Sequence, residues 1–387
     1  MTGKIKLLFL IIYILPFLSC EIEENIEDSN SNVDIIEEET NNTTLTDSIT
    51  EYIVFSRKKG LRPVFRIPSL LITQKGTLLI SCENRNIVAD KGEIDILIAR
   101  KDTANSDWQY QTVFTNDSAK GRVMNPIFLQ DIISNRIYLF AARLANKDKF
   151  ATDHSTKEMD CVYKYSDDDG VSWSDEISLK SKWDIHDYSG SLPSASNGIQ
   201  ASNGTLYVPT MVVKNNNWYS GLLTKNKGKD WYFSIATPNA GDNESTVYID
   251  NENRVVLDCR TFNGVRNKYY YDENKNIYIN APDNIITSIV DLKAEITKCG
   301  LSGKTIYLMS FSNTKSNKRE NLSLFASKDG INWIFIHLLE KGPNRFSYSN
   351  VSCYNDKIYV VYETETCIKL KDISLLKNDI IRKVFGE

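Results

Sequence analysis

From Tyr52 onward the chain alternates short apolar runs with polar turns and never sustains a helical period. Leu78-Leu79-Ile80-Ser81-Cys82, Arg136-Ile137-Tyr138-Leu139-Phe140, Thr205-Leu206-Tyr207-Val208-Pro209, Arg254-Val255-Val256-Leu257, Thr305-Ile306-Tyr307-Leu308-Met309 and Lys357-Ile358-Tyr359-Val360-Val361-Tyr362 are examples. Turn signals such as Lys75-Gly76, Asn203-Gly204 and Ser302-Gly303 precede them. Runs of this length, rich in β-branched and aromatic residues and closed by Gly, Asn or Asp, predict strands joined by tight turns. The expected class is all-β.

A repeated motif organises these strands. Ser166-Asp167-Asp168-Asp169-Gly170-Val171-Ser172-Trp173 fits the Ser-x-Asp-x-Gly-x-x-Trp pattern called an Asp box. Ser166 and Asp168 are suited to bonding the turn backbone, Gly170 to a positive φ, and Trp173 to plugging the next strand into the core. Thr224 to Trp231 repeats the motif with Thr for Ser and Asn for Asp, Ser327 to Trp333 repeats it one residue short, and Lys101 to Trp108 is a worn copy. The tryptophans are 65, 58 and 102 residues apart, and the last gap leaves room for an eroded copy near Tyr271-Asp272-Glu273-Asn274. Recurrence at roughly 50 residues is the mark of a propeller, whose four-stranded blades bury their faces only against one another. Six blades fit the length. A β-sandwich array is the alternative, but it gives a Trp at one turn position no reason to recur.

The ends and the charge balance narrow the setting. Met1-Thr2-Gly3-Lys4-Ile5-Lys6, the apolar run Leu7 to Leu18 and Ser19-Cys20 read as a signal peptide over residues 1–20, too short to span a bilayer. Residues 21–50 are acidic and rich in Asn, Ser and Thr, the composition of a disordered tether. Residues 51–387 then form the propeller. With 46 Lys+Arg against 50 Asp+Glu there is no basic footprint for nucleic acid. The seven cysteines contain no C-x-x-C pair, and His154, His186 and His337 have no ligand spacing, so no metal or other cofactor is expected. The pairing of the cysteines stays open.

Phe65-Arg66-Ile67-Pro68 combines with the Asp boxes to give a chain that resembles the bacterial exo-α-sialidase (neuraminidase) family, over roughly Tyr52 to Glu365. The resemblance implies a site for a sugar whose anomeric carbon carries a carboxylate. Three arginines would clamp that carboxylate, since a guanidinium binds it bidentately and stays charged. Arg66, Arg260 in Leu257-Asp258-Cys259-Arg260, and Arg319 in Lys318-Arg319-Glu320-Asn321 match those positions. An anionic nucleophile would be repelled, so the family uses a neutral tyrosine with a carboxylate base. Tyr348 in Phe346-Ser347-Tyr348-Ser349 and Glu244 in Gly241-Asp242-Asn243-Glu244 match that pair. Asp90 matches the acid that protonates the leaving oxygen, with its pKa raised by partial burial once substrate is bound, and Asp95 is the rival, expected to be structural. Glu363 matches the carboxylate that orients the first arginine. Arg85 is a further candidate ligand, Asn125 before Pro126 stands where relatives carry an acid near the sugar hydroxyls, and Ser196-Asn197-Gly198-Ile199 resembles the loop lining the glycerol side.

By this resemblance the chain is a retaining glycoside hydrolase without a cofactor, acting on sialylated glycoproteins, glycolipids or oligosaccharides, and a monomer. A sialoside-binding propeller without catalysis is the alternative, and a trans-sialidase, which differs in how well water is excluded, is a third. Cys20 after Phe17-Leu18-Ser19 resembles a lipobox, implying lipidation and anchorage at the bacterial cell surface or the periplasmic face. An ordinary signal with an incidental cysteine is its rival.

Overall fold

The apolar runs pair antiparallel to give six sheets, five of four strands and one of five, the blades of a β-propeller. The computed structural model describes residues 49–386, apart from 58–60, 104–106, 118, 145–158, 184–185, 227–228, 262–265, 283–292, 315–318 and 343–347. Cys20, the expected signal and nearly all of the expected tether lie outside the described residues. Blade 1 is Val64–Ile72, Leu78–Arg85, Ile94–Lys101 and Gln109–Phe114, and blade 2 is Arg122–Gln130, Ile137–Leu144, Met159–Ser166 and Ile177–Ser178. Blade 3 is Gly190–Pro193, Leu206–Lys214, Asn217–Lys225 and Tyr232–Phe233, with the short Ile199–Gln200 added on its second strand. Blade 4 is Asp242–Ile249, Val255–Thr261, Asn267–Asp272 and Ile277–Asn280, and blade 5 is Glu295–Leu301, Lys304–Ser312, Leu322–Ser327 and Ile334–Glu340. Blade 6 takes Ser349–Tyr354, Lys357–Glu363 and Ile368–Asp372 from one end of the domain and Thr50–Phe55 from the other.

Thr50–Phe55 therefore closes the ring, beginning at the residue where the tether was expected to end. Glu51 on this strand bonds Lys369 at 2.7 Å, and both Glu51 and Glu340 accept from the Tyr362 hydroxyl, at 2.8 and 2.9 Å. These contacts hold the last blade to the first strand.

Every major apolar cluster lies between successive blades. Phe55, Phe65, Leu70 and Val361 join blades 6 and 1; Leu79, Ile98, Phe128 and Leu139 join 1 and 2; Phe140, Val208 and Trp231 join 2 and 3. Tyr207, Leu222, Val247 and Leu257 join 3 and 4; Tyr248, Ile296 and Met309 join 4 and 5; Leu308, Val351 and Val360 join 5 and 6. No blade has a core of its own to bury, so the ring folds as a unit. A disulfide, Cys299–Cys353, adds a covalent tie between the first strands of blades 5 and 6, while Cys82, Cys161, Cys259 and Cys367 are buried free thiols.

The Asp boxes occupy the turn between third and fourth strands, as their spacing implies. In blade 2 the Ser166 hydroxyl accepts the Gly170 N–H at 2.8 Å and Asp168 accepts the Ser172 N–H at 2.8 Å. Enclosure raises the Asp168 carboxyl, but the Ser172 hydroxyl and N–H and the Ser166 hydroxyl donate to it and hold the group down at about 2. The boxes of blades 2 and 5 also dock on the blade before them: Thr77 of blade 1 donates to Asp169 at 2.6 Å, and Asn251 after blade 4's first strand donates to the Lys328 carbonyl at 2.9 Å. The eroded copy forms the corresponding turn of blade 4, where Glu273 accepts from the Tyr207 and Tyr232 hydroxyls of blade 3 at 2.8 and 2.7 Å. The 102-residue gap is thus two blades.

Candidate active site

Three first strands break register. The slips fall between Arg66 and Ser69 in blade 1, Met124 and Ile127 in blade 2, and Asp242 and Ser245 in blade 4. In blades 1 and 2 the bulge is a residue with left-handed backbone followed by proline: Ile67 at φ 52 and Asn125 at φ 53. A β-branched residue in that region costs on the order of 1–3 kcal/mol and persists only where its surroundings hold it. Glu363, reaching across from blade 6, accepts the Ile67 N–H at 2.9 Å and also grips the Arg66 guanidinium through Nε at 3.3 Å and Nη2 at 3.1 Å. The Ile67 side chain packs on Tyr348 and Ala195.

Tyr348 lies at the centre of the cluster. Its hydroxyl donates to Glu244 Oε1 at 2.6 Å, and the other oxygen of Glu244 accepts from Arg260 Nη1 at 2.6 Å. The guanidinium carbons of Arg66 and Arg319 stand 5.5 and 5.8 Å from the centre of the Tyr348 ring. Blades 1, 4, 5 and 6 therefore bring Arg66, Glu244, Arg260, Arg319, Tyr348 and Glu363 into one site. Burial pushes the Tyr348 phenol well up and the charge of Glu244 pushes the same way, against Arg260, Arg319 and Arg66. The phenol is neutral, with a carboxylate in place to take its proton.

Asp90 faces the same arginines from the loop after blade 1's second strand. Its carboxylate accepts from Arg85 Nη1 at 2.7 Å and is 55% exposed. Enclosure raises it, but Arg85, then Arg66 and Arg319, hold the carboxyl below its ordinary value. With those charges alone around it, the group is ionised, which is the opposite of what an acid needs.

The other candidate residues are held by contacts within the protein. Arg85, expected to reach the ligand, is fully enclosed, and its described partners are Glu83, Asp90 and the Val88 carbonyl, the last at 2.8 Å. Asn125 gives its amide to the Pro193 carbonyl at 3.1 Å. The Asn197 carboxamide accepts from Ser69 and the Phe128 N–H and donates to the Leu70 carbonyl, so it ties blades 1 and 2 to the loop of blade 3. Asp95 is structural, as expected, pairing with Arg62 and accepting the Asn116 N–H.

Three supports escaped the sequence. Glu83 is buried between Arg85 and the Asn125 bulge. Asp242 anchors the Glu244 bulge by accepting from the Tyr269 hydroxyl and the Asn267 amide, both at 2.7 Å. Lys293, buried against Glu295 at 2.9 Å, donates to the Ser349 carbonyl at 2.6 Å beside Tyr348. For Glu83 the available signal was a charge at the end of an apolar run, Leu79-Ile80-Ser81-Cys82-Glu83.

Residues 80–360 match the model of the BNR repeat-like domain family. A sialidase of Clostridium perfringens is 29% identical over 343 residues, covering 80% of this chain and 88% of that protein. A sialidase of Bacteroides fragilis is 25% identical over 346 residues, covering 80% of this chain and 62% of that protein. Among solved structures, a Trypanosoma rangeli sialidase in complex with sialic acid superposes with a TM-score of 0.72 at 18% identity, over 86% of this chain and 61% of the other. The intramolecular trans-sialidase from Ruminococcus gnavus superposes with a TM-score of 0.65 at 16% identity, over 84% of this chain and 98% of the other. At these identities the superpositions speak to the fold alone.

Proposed function

The chain belongs to the bacterial sialidase family built on BNR (Asp-box) repeats, and from that membership and the clustered site we propose that it is an exo-α-sialidase, a retaining glycoside hydrolase. The observation that carries this is the Tyr348 hydroxyl bonded to Glu244 within reach of Arg66, Arg260 and Arg319. Binding a sialoside calls for the arginines and gives no use to a base beside a buried phenol.

In this proposal the arginines hold the carboxylate of a terminal α-linked sialic acid with its anomeric carbon over the Tyr348 oxygen. The phenol attacks that carbon as Glu244 takes its proton, and the bond to the aglycone breaks while Asp90 donates a proton to the departing oxygen. Water then attacks the same carbon from the side the aglycone left, giving its proton back to Asp90. The tyrosyl bond breaks and Glu244 returns the proton to Tyr348. Two displacements give net retention. The substrate also prepares its own acid: its carboxylate neutralises the arginines that depress Asp90, so the pKa of Asp90 rises on binding.

Proton NMR of the first-formed sugar from an α-sialoside tests the proposal. The α anomer is expected before mutarotation, whereas an initial β anomer refutes the tyrosyl intermediate, and binding without any turnover turns the assignment to a lectin. Sialosyl transfer to lactose in the same tube would reassign the protein as a trans-sialidase. Export and lipidation at Cys20 complete the proposal, checked by intact mass of the membrane-extracted chain.

A further inference from the structure

The device that steadies Arg66 occurs twice in the ring. Glu363 ends the second strand of blade 6, directly opposite Tyr348, whose carbonyl accepts its N–H at 3.1 Å. From there it caps the bulge N–H of the next blade at Ile67 and pairs with Arg66. Glu83 holds the equivalent place one blade on. It lies opposite Arg66 across blade 1, and its Oε1 accepts the bulge N–H of blade 2 at Asn125 at 2.7 Å. Its Oε2 pairs with Arg85. Both bulges are a left-handed residue followed by proline. At the next such position, opposite Met124 in blade 2, stands Ala142, so among these three blades the device stops after blade 1.

We propose that Glu83 is a positioning residue of the site: through Arg85 it sets the place and proton affinity of Asp90, and through the Asn125 N–H it holds the bulge of blade 2. This rests on the sialidase assignment for its meaning in catalysis, although the positioning itself does not. Glu83 and Arg85 are both 0% exposed, whereas Asp90 at the end of the chain is open to ligand. Arg85 thus carries the influence of a carboxylate outside the reach of substrate to one within it. The charged groups facing Asp90 are Arg85 on its own blade, Arg66 on the first strand of that blade and Arg319 from blade 5, with Glu83 and Glu363 behind Arg85 and Arg66. Removing the charge of Glu83 leaves Arg85 uncompensated, which stabilises the Asp90 carboxylate and lowers its pKa. An acid of lower pKa loses its proton earlier as pH rises, so the alkaline fall in activity moves toward acid.

Two variants separate the two contacts. Glu83→Gln keeps an acceptor for Asn125 and removes the charge. On a natural sialyl-lactose, the alkaline limb of kcat, which reports Asp90 in the substrate complex, is expected to move about one pH unit toward acid, the scale of one charge interaction across a guanidinium in a protein site. Glu83→Asp keeps the charge and shortens the reach. It should leave that limb in place, raise KM by about tenfold and speed hydrogen exchange at the Asn125 amide by at least tenfold. An unmoved limb in Glu83→Gln, or unchanged Asn125 protection and KM in Glu83→Asp, overturns the proposal. Should Glu83→Gln fail to fold, the Glu83→Asp measurements decide. Amide exchange is read without turnover, so wild-type inactivity would sink the sialidase assignment while leaving the role of Glu83 to be judged.

Discussion

Tyr348→Phe removes one oxygen from the centre of the site and leaves nearly everything else in place. Glu244 loses its 2.6 Å donor on Oε1, but Arg260 remains on the other oxygen at 2.6 Å, so the carboxylate stays paired. The stability loss should therefore be that of one bond to a buried acceptor, about 1–3 kcal/mol, and far smaller than unpairing a buried charge. The ring keeps its packing on Ile67 and Ala195, and Arg66 and Arg319 keep their places around it. Ground-state binding of the substrate carboxylate is thus preserved and KM should change by less than about threefold. Catalysis loses its nucleophile altogether, so kcat is expected to fall by at least about a thousandfold, or roughly 4 kcal/mol of barrier. Initial rates on a fluorogenic aryl sialoside give kcat and KM, and urea unfolding of the same preparations gives the stability. A kcat within tenfold of wild type in a folded variant would refute the role of Tyr348, and a loss matched by unfolding would show only that the hydroxyl holds the site together.

The remaining predictions probe the groups around that tyrosine. Asp90→Asn should barely affect aryl sialosides with acidic phenol leaving groups and should cut turnover of sialyl-galactosides by about a hundredfold or more, so equal losses on both would return the acid role to another group. Because the arginines depress Asp90 until an anion cancels them, the alkaline limb of kcat on sialyl-galactosides should lie at higher pH than that of kcat/KM, and coincident limbs would refute that coupling. Arg66→Ala, Arg260→Ala and Arg319→Ala should each cost several kcal/mol in kcat/KM, with Lys no adequate replacement, and normal hydrolysis by Arg319→Ala would mean the third arginine lies elsewhere. Replacing Cys299 and Cys353 by Ser opens a crosslink over 54 residues, which should cost up to about 4 kcal/mol in urea unfolding while leaving kcat unchanged.

Fold class and blade number were legible because both are written locally. An Asp box is a turn whose own side chains satisfy its own backbone, so Ser166, Asp168, Gly170 and Trp173 announce it without reference to the rest of the chain. Its recurrence counts the blades, and the missing copy near Asp272 was found by arithmetic alone. The candidate site was partly legible for a different reason: Arg66, Glu244, Arg260, Arg319 and Tyr348 stand in stretches that resemble known ones. Nothing local says that blades 1, 4, 5 and 6 meet there. That convergence needs the ring to close, and closure depends on Thr50–Phe55 pairing with Ile368–Asp372 across nearly the whole domain.

The three bulges likewise belong to the tertiary structure. Proline after Ile67 and after Asn125 disfavours helix at those residues, but it does not dictate a left-handed backbone, which a β-branched residue adopts only when held. The holding groups, Glu363 and Glu83, come from the neighbouring blade in each case. The ionisation of Asp90 was open for the same reason. The sequence places it on a loop, whereas the fields of Arg85, Arg66 and Arg319 that lower its carboxyl are assembled by the fold, the last of them from blade 5. The chain alone determined which turns recur and which residue types carry charge. The folded ring decided which charges face one another, because electrostatic coupling follows distance in space and the blades bring together groups that lie hundreds of residues apart.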